Sequence, residues 1–196
     1  MKTLPDLLPK GSKVVIVGCN PSPVSARIGC YYAGRGNQFW SLVHESGLVP
    51  ERLRSLDSVR ITEFGIGLTD LVKRPSKSSS DVSSGEFAAG RKALHRKLKR
   101  IGPSVVVFNG KVVYEQFTRT RCEYGLQKER LYGAQVYVLP STSARCARTS
   151  YQQKLSHFQD VHKLLQFKMT DVTEKGARQE SDGHAALRSD LRSPKS

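Results

Sequence analysis

Long apolar runs are missing from this sequence. The longest strand-like apolar stretch, Val14 to Val17, falls far short of the roughly 18 residues that a membrane-spanning helix needs. The N-terminal residues MKTLPDLLPKGSK also lack the apolar h-region of a signal peptide. The sequence therefore predicts an intracellular protein without a membrane segment.

Closely spaced cysteines are missing as well. The four cysteines stand at positions 19, 30, 122 and 146, and none belongs to a C-x-x-C pair. This spacing fits neither a zinc ribbon, nor a redox dithiol, nor an iron–sulfur cluster. We therefore predict reduced, mostly buried thiols and no metal site.

Acidic residues are few for the size of the chain. Asp and Glu number 17 against 32 Lys and Arg, which gives a formal net charge of +15. Residues 168–196 contain six basic and five acidic residues, so about +14 belongs to the rest of the chain. A folded body this basic indicates a polyanionic partner, although a soluble protein that is merely basic is the alternative.

What the sequence does contain is an alternation of strand and helix patterns. It predicts strands over 13–18, 64–72, 104–108 and 135–139, and helices over 37–47, 84–100, 111–117 and 151–167. This order favours an α/β fold of three layers, α/β/α, with a short and mostly parallel central sheet. We expect one domain over 13–167, an N-terminal extension over 1–12 and a disordered tail over 168–196.

Polar or small residues stand where each predicted strand ends. They are Gly18 to Asn20, Thr69-Asp70, Asn109-Gly110 and Pro140 to Ser143. Ligands of parallel sheets bind outside the carboxyl ends of the strands. We therefore expect the functional site at this edge.

Three patterns cluster at or near these ends: GCNPSP at 18–23, YYAGRGNQFW at 31–40 and PSTSARCA at 140–147. Each by itself has a plain structural interpretation. Asn20-Pro21 initiates turns, and Gly34-x-Gly36 lacks the third glycine of a dinucleotide loop. Only their combination is specific.

In combination, the chain resembles the thymine-DNA glycosylase and mismatch-specific uracil-DNA glycosylase family, within the uracil-DNA glycosylase superfamily. The resemblance covers about residues 11–167 and rests on five blocks in order. These are G-x-N-P at 18–21, G-x-G-N-x-F-W at 34–40, G-I-G-x-T at 65–69, V-F-N-G-K at 107–111 and S-x-S-A-R-C-A at 141–147. The last block is similar to the eukaryotic thymine branch.

The resemblance implies a monofunctional hydrolase that flips uracil or thymine mispaired with guanine out of double-stranded DNA and cleaves its N-glycosidic bond without metal or cofactor. It implies that Asn20 positions the attacking water and that Thr69 helps to hold it. Asp70 stands where the family varies, as an auxiliary base or as a loop acid. The eukaryote-like loop and the basic clusters suggest the nucleus, and a monomer is the default.

The resemblance also implies a base pocket and a wedge. The pocket residues are Gly18, Cys19, Tyr31, Tyr32 and Asn109; Tyr32 would stack on the base, with a core tyrosine as its alternative. Arg145, with Ala144, would fill the gap in the DNA stack and contact the widowed guanine. Ser141 and Ser143 would bind phosphates, and further cations would follow the backbone: Arg35, Lys73, Arg74, Lys111 and Arg148.

Departures from the family motif bear on the range of substrates. The family's G-I-N-P-G is G-C-N-P-S here, with Cys19 for an aliphatic residue and Ser22 for Gly, and Tyr31 replaces a His of the eukaryotic enzymes. Oxidised 5-methylcytosines are therefore a further substrate class to test.

Two other functions stay open at this point. One is a DNA-binding module that keeps the wedge and has weakened chemistry; retention of Asn20 and Thr69 argues against it. The other is a small-molecule enzyme of doubly wound fold, which the incomplete glycine pattern and the charge disfavour.

Overall fold

The computed structural model describes residues 3–166. One five-stranded sheet forms its centre, with the strand order β2-β1-β3-β5-β4. Its strands are β1 (Val14–Gly18), β2 (Ile66–Asp70), β3 (Val105–Asn109), β4 (Gly125–Leu131) and β5 (Ala134–Leu139). All neighbours pair in parallel except β4, which is antiparallel to β5.

Helices cover both faces of the sheet. They are α1 (Pro23–Ile28), α2 (Phe39–Glu45), α3 (Ser84–Ile101), α4 (Lys111–Thr118) and α5 (151–166), with 3-10 helices at Ser55–Phe64 and Ser79–Asp81. Side chains of α2 and α5 pack on one face, and those of α3 and α4 pack on the other.

Strand β1 shows how the two faces are filled. Val14 and Ile16 belong to the core under α2 and α5, whereas Val15 and Val17 belong to the core under α3 and α4. Every residue of β1 is buried, as expected for a parallel strand that is covered on both sides. The predicted three-layer α/β/α fold with a mostly parallel sheet is confirmed.

The chain reverses its direction of travel across the sheet at β1. The segment after β1 leads to β2 on one side, and the segment after β2 returns to β3 on the other. The crevice at such a switch point, outside the carboxyl ends of β1 and β3, is the usual ligand site of this architecture. Registers place Gly18 beside Asp70 and Asn109 beside Leu139 at that edge.

Two elements are absent from the sequence-based prediction. Helix α1 lies inside the segment that was expected to be a loop, although Ser22 as N-cap, Pro23 at N1 and Gly29 as C-cap are ordinary helix signals. Strand β4 (GLQKERL) is a largely exposed edge strand without β-branched residues, so its pattern gave no strand signal.

The N-terminal segment is part of the folded body. Leu7 pairs with Leu68 of β2 through two backbone hydrogen bonds, and Leu4 is buried. A Cβ at Gly67 would collide with Leu8. The absence of a side chain at Gly67 thus lets the N-terminal segment approach β2, and residues 4–8 do not form a separate extension. The predicted tail over 168–196 lies outside the described residues.

Candidate active site

A cavity of about 500 Å³ opens at the carboxyl edge of the sheet. Its wall combines all three sequence patterns, since Asn20, Tyr32 and Arg145 line the same space. The strand ends contribute Gly18 from β1, Asp70 from β2 and Asn109 from β3. Residues that are far apart in the chain therefore converge where the switch point predicts a ligand site.

Asn20 is held by its amide nitrogen. Nδ2 donates hydrogen bonds to Ser76 Oγ at 2.8 Å and to the Pro21 carbonyl at 3.2 Å. No residue within 3–166 donates to Oδ1 of Asn20, so this oxygen remains an acceptor for a ligand or a water molecule at the cavity wall.

Ser76 is the residue that the sequence interpretation missed. Its backbone N–H donates to the Pro21 carbonyl at 3.1 Å, and its Oγ donates to the Ser78 carbonyl while accepting from Asn20. The hydroxyl is therefore fixed against Asn20 and lines the cavity. In the sequence it stands in a serine-rich loop, where no periodic pattern distinguishes one serine from the next.

Thr69 does not reach the cavity, which corrects its expected place beside the attacking water. Successive side chains of a strand point to opposite faces, and it is Asp70 that lines the cavity. Thr69 is fully buried; its Oγ1 donates to Asp6 Oδ1 at 2.6 Å and accepts from Lys97 Nζ at 3.2 Å. Its hydroxyl is committed to that contact.

Asp70 lies at the bottom of the cavity wall with 4% of its surface exposed. Its Oδ1 fills the space that a Cβ at Gly18 would take, and its Oδ2 has no hydrogen-bond partner among residues 3–166. Desolvation raises the pKa of this carboxyl to about 7; Lys73 lowers it, Asp6 raises it and Lys97 lowers it. A buried carboxyl without a donor favours its neutral form.

Two tyrosines and a thiol complete the wall around Asp70. Tyr31 is buried, whereas Tyr32 is half-buried and stacks on Phe39 at a ring-centroid distance of 3.8 Å. Burial raises the pKa of both phenols, and it raises the pKa of the Cys19 thiol to about 12. All three groups are therefore neutral around pH 7.

Asn109 braces the cavity. Its Nδ2 donates to Thr142 Oγ1 at 3.0 Å, and its Oδ1 accepts from the Thr142 backbone N–H at 3.1 Å. These hydrogen bonds support a bracing role for this pocket residue. They tie the end of β3 to the loop that follows β5.

The loop over 140–148 carries the residues expected to act as wedge and phosphate contacts. Ser141, Ser143 and Arg145 line the cavity, and one Arg145 amine donates to the Lys77 carbonyl across it. Ala144 is exposed and its Cβ lies against Gly36. Buried Lys154 fixes the loop by donating to the Cys146 carbonyl at 3.1 Å.

Positive charge dominates the cavity lining. Four cations, Lys77, Lys111, Arg145 and Arg148, face a single carboxylate, that of Asp70. Not every basic residue named in the sequence is available to a polyanion. Lys73 pairs with Asp6, Arg74 with Glu86 and Lys111 with Glu123 at 2.7 Å.

Other kinds of site find no support in the described part of the chain. Residues 3–166 bring no three His, Cys, Asp or Glu side chains together in a way that could hold a metal ion. All four cysteines are free thiols and half-buried. Over the same residues, no helix is both long and apolar enough to cross a membrane.

Comparison with known proteins places this cavity in a family. A solution NMR structure of a candidate uracil DNA glycosylase from Methanosarcina acetivorans superposes with a TM-score of 0.59 at 23% sequence identity, covering 83% of this chain and 97% of that one. At this identity the likeness shows a shared fold. The sequence model of the Uracil DNA glycosylase superfamily matches residues 5–166, which is most of the chain and includes every residue of the cavity wall except Leu4. The chain therefore belongs to the uracil-DNA glycosylase superfamily.

Proposed function

We propose that this protein is a monofunctional DNA glycosylase of the thymine-DNA and mismatch-specific uracil-DNA glycosylase branch. It would excise uracil or thymine mispaired with guanine in double-stranded DNA, as the first step of base-excision repair. The observation that carries the proposal is the presence of Asn20 and Arg145 on one cavity wall. A water-positioning amide and a cationic wedge are useful together only if they serve the same extruded nucleotide.

The reaction needs a positioned water and an exit for the base. The C1′–N1 bond breaks with its electron pair on the base, water oxygen bonds to C1′, and a proton of the water ends on the base. Asn20 Oδ1 and the remaining lone pair of Ser76 Oγ would accept the two water hydrogens. An oxygen lone pair would then point at C1′.

The Tyr32 ring would receive the flipped base. Phe39 covers one of its faces, which leaves the other for a pyrimidine. Such stacking is worth about 1–3 kcal/mol per base and discriminates little between bases. Selectivity must therefore come from polar groups of the pocket and from the wedge that reads the opposite guanine.

The wedge loop fits the gap that base flipping leaves. Arg145 is exposed at the cavity mouth, while Asn109 and Lys154 hold the loop on both sides. The Ser141 and Ser143 hydroxyls each accept only a backbone N–H, so their protons remain for phosphate oxygens. The Arg145 contact with the Lys77 carbonyl would break on DNA binding.

The proposal also includes the oligomeric state, the cellular location and the range of substrates. All the groups it uses come from one chain, which supports action as a monomer. The basic body and the S-x-S-A-R-C-A loop support a nuclear protein. Oxidised 5-methylcytosines opposite guanine are included as a substrate class. Neither metal nor cofactor takes part in the proposed steps.

A duplex panel tests the proposal. We expect alkali-labile abasic sites in G·U and G·T duplexes, and weaker release from A·U, because Arg145 and Ala144 would read guanine; a G·carboxylcytosine duplex tests the wider class. Asn20→Ala should abolish release while DNA binding persists. The matched control is Gln152→Ala, which removes an exposed amide that lies outside the cavity.

The outcomes separate the candidate functions. Tight mismatch binding with no base release in single-turnover assays would establish the DNA-binding module instead. Release by Asn20→Ala at the parental rate would refute the role of that amide. Failure to bind or cleave any duplex would reject the proposal altogether.

A further inference from the structure

The Asp70 carboxyl is placed to contact a ligand in the cavity. It is nearly completely buried, it lines the cavity, and its Oδ2 lacks a partner within residues 3–166. A buried polar atom without a hydrogen bond destabilises the folded protein, so its position in a cavity wall favours a bound ligand that supplies the bond. The carboxyl stands beside Gly18 and close to the Tyr32 hydroxyl.

We propose that Asp70 contacts the flipped base as a neutral carboxylic acid and donates a hydrogen bond to a base oxygen that gains negative charge as the base leaves. This inference rests on the proposed glycosylase function. It differs from the auxiliary-base role, in which the ionised carboxylate would act on water or on the sugar.

Charge decides between the two roles. A leaving pyrimidine carries the electron pair of the broken C1′–N1 bond, delocalised largely onto its exocyclic carbonyl oxygens. A carboxylate against those oxygens would repel the developing anion in a low-dielectric site, whereas an O–H donor stabilises it. The acid proton stays on Asp70 in a strong hydrogen bond, and the water proton released at C1′ ends on the base, so the overall reaction is unchanged.

The groups around Asp70 keep its neutral form available. Cys19 from the end of β1 and the two tyrosines are themselves neutral near pH 7 because burial raises their pKa values. The nearby charges are Asp6 from the N-terminal segment, Lys73 from the loop after β2 and Lys97 from α3, and both lysines already pair with Asp6. DNA phosphates would favour the neutral carboxyl further.

The cavity wall contains few titratable groups of the kind that Asp70 represents. Among residues 3–166, Asp70 is the only carboxylate that lines the cavity, and no histidine lines it. The other charged or ionisable lining groups are the cations Lys77, Lys111, Arg145 and Arg148, the thiols Cys19 and Cys146, and the tyrosines Tyr31, Tyr32 and Tyr124. A pH dependence of the rate that Asp70→Asn removes would therefore report Asp70.

The test is the single-turnover rate of base release from a G·U duplex between about pH 5.5 and about pH 9 at constant ionic strength. We expect the wild-type rate constant to fall at high pH, approaching about tenfold per pH unit once Asp70 ionises. Asp70→Asn keeps a neutral donor of the same shape, so its rate should be independent of pH and exceed that of the wild type at the alkaline end. Asp70→Ala should be slow at every pH.

A matched control makes the same chemical change elsewhere. Asp160→Asn removes a half-exposed carboxylate on α5, outside the cavity, and should keep the wild-type profile. A wild-type rate that is flat or rises with pH overturns the inference, as does an Asp70→Asn variant that keeps the wild-type pH dependence. A folded but inactive Asp70→Asn would also overturn it, because a neutral donor would then be insufficient.

Failure of the proposed function looks different. If the wild type releases no base from any duplex at any pH, the glycosylase proposal itself falls. If it releases base with a flat profile, only the role of Asp70 falls. Should Asp70→Asn fail to fold by circular dichroism, the wild-type profile decides alone.

Discussion

Two aspartates near strand β2 have opposite surroundings. Asp6 packs against the β2 side chain of Thr69 and accepts from that hydroxyl, from Lys73 and from Lys97 at 2.8 Å. Burial by itself would raise the pKa of Asp6, but these donors outweigh it and hold the pKa below its ordinary value. Asp70 is the next residue of the strand, faces the cavity and lacks such donors, so burial raises its pKa to about 7.

The comparison shows that partners, more than burial, decide what a carboxylate does. Asp6 compensates two lysines and joins the N-terminal segment to β2 and α3, so its contribution is structural. Among residues 3–166, no ion pair or hydrogen bond offsets the desolvation of the Asp70 carboxyl. A group at a cavity wall that lowers the stability of the fold is typical of a functional site.

Gly18→Ala disturbs the surroundings of Asp70 in the cavity and has the largest expected effect on the rate of base release. The added Cβ would collide with Asp70 Oδ1 and displace the carboxyl from its place. We expect base release to fall about 100-fold with the fold retained, since small misplacements of reacting groups cost about this much. The control is Gly85→Ala, where an added Cβ meets nothing within 4 Å. Equal rates for both variants would contradict the placement of Asp70.

Asp6→Asn removes the carboxylate that pairs with Lys73 and Lys97. The variant leaves Lys73 and Lys97 without their counter-charge, and we expect a loss of about 2 kcal/mol in the free energy of unfolding at pH 7. Because the folded pKa of Asp6 is lowered, its contribution is present above the unfolded value of 3.8 and is lost as the pH falls through the folded pKa.

The measurement for Asp6→Asn is urea unfolding at pH 7 and at about pH 3.5. The difference in unfolding free energy between variant and wild type should narrow at the lower pH, because there the Asp6 carboxyl of the unfolded wild type takes up a proton more readily than that of the folded protein. A gap that widens on acidification would show that the ion pairs are not its source.

Thr69→Val tests the hydrogen bond to Asp6 and has the smallest expected effect on stability and on the rate of base release. The change removes the hydroxyl that donates to Asp6 and keeps the side-chain shape, so we expect about 1 kcal/mol lower stability and a rate of base release within about twofold of wild type.

Ser76→Ala removes a hydroxyl from the cavity instead and should slow release by about tenfold or more. The reverse pattern would restore Thr69 to the water site.

The regular elements of this fold could be predicted from local pattern. The run KVVIVG ends at Gly18, as β1 does, and the run SVVVF ends at Phe108, one residue before the end of β3, because fully buried parallel strands require continuous apolar sequence. Helix α3 could be predicted equally well, because the capping residues Ser83 and Gly102 mark its two ends. Strand β4 could not be predicted in this way, since a solvent-exposed edge strand places few constraints on the residue types that form it.

The site was predictable in part for the same reason. Motifs at strand ends located Asn20 and Arg145, which the structure brings to one cavity. The role of helping Asn20 to hold the water was assigned to Thr69, because the family resemblance includes the G-I-G-x-T block at 65–69. The actual hydrogen-bond partner of Asn20, Ser76, belongs to a loop whose course depends on contacts such as the one from its N–H to the Pro21 carbonyl.

The sequence by itself determined the layers, the edge at which ligands bind and the excess of positive charge, because apolar periodicity, strand ends and composition are local properties. Only the tertiary structure decided which face of β2 each residue occupies, that Asp6 neutralises Lys73 and Lys97, and that the Asp70 carboxyl is buried without a donor. Those facts depend on which distant segments meet, and the energy of a buried charge is set by those neighbours rather than by the residues beside it in the chain.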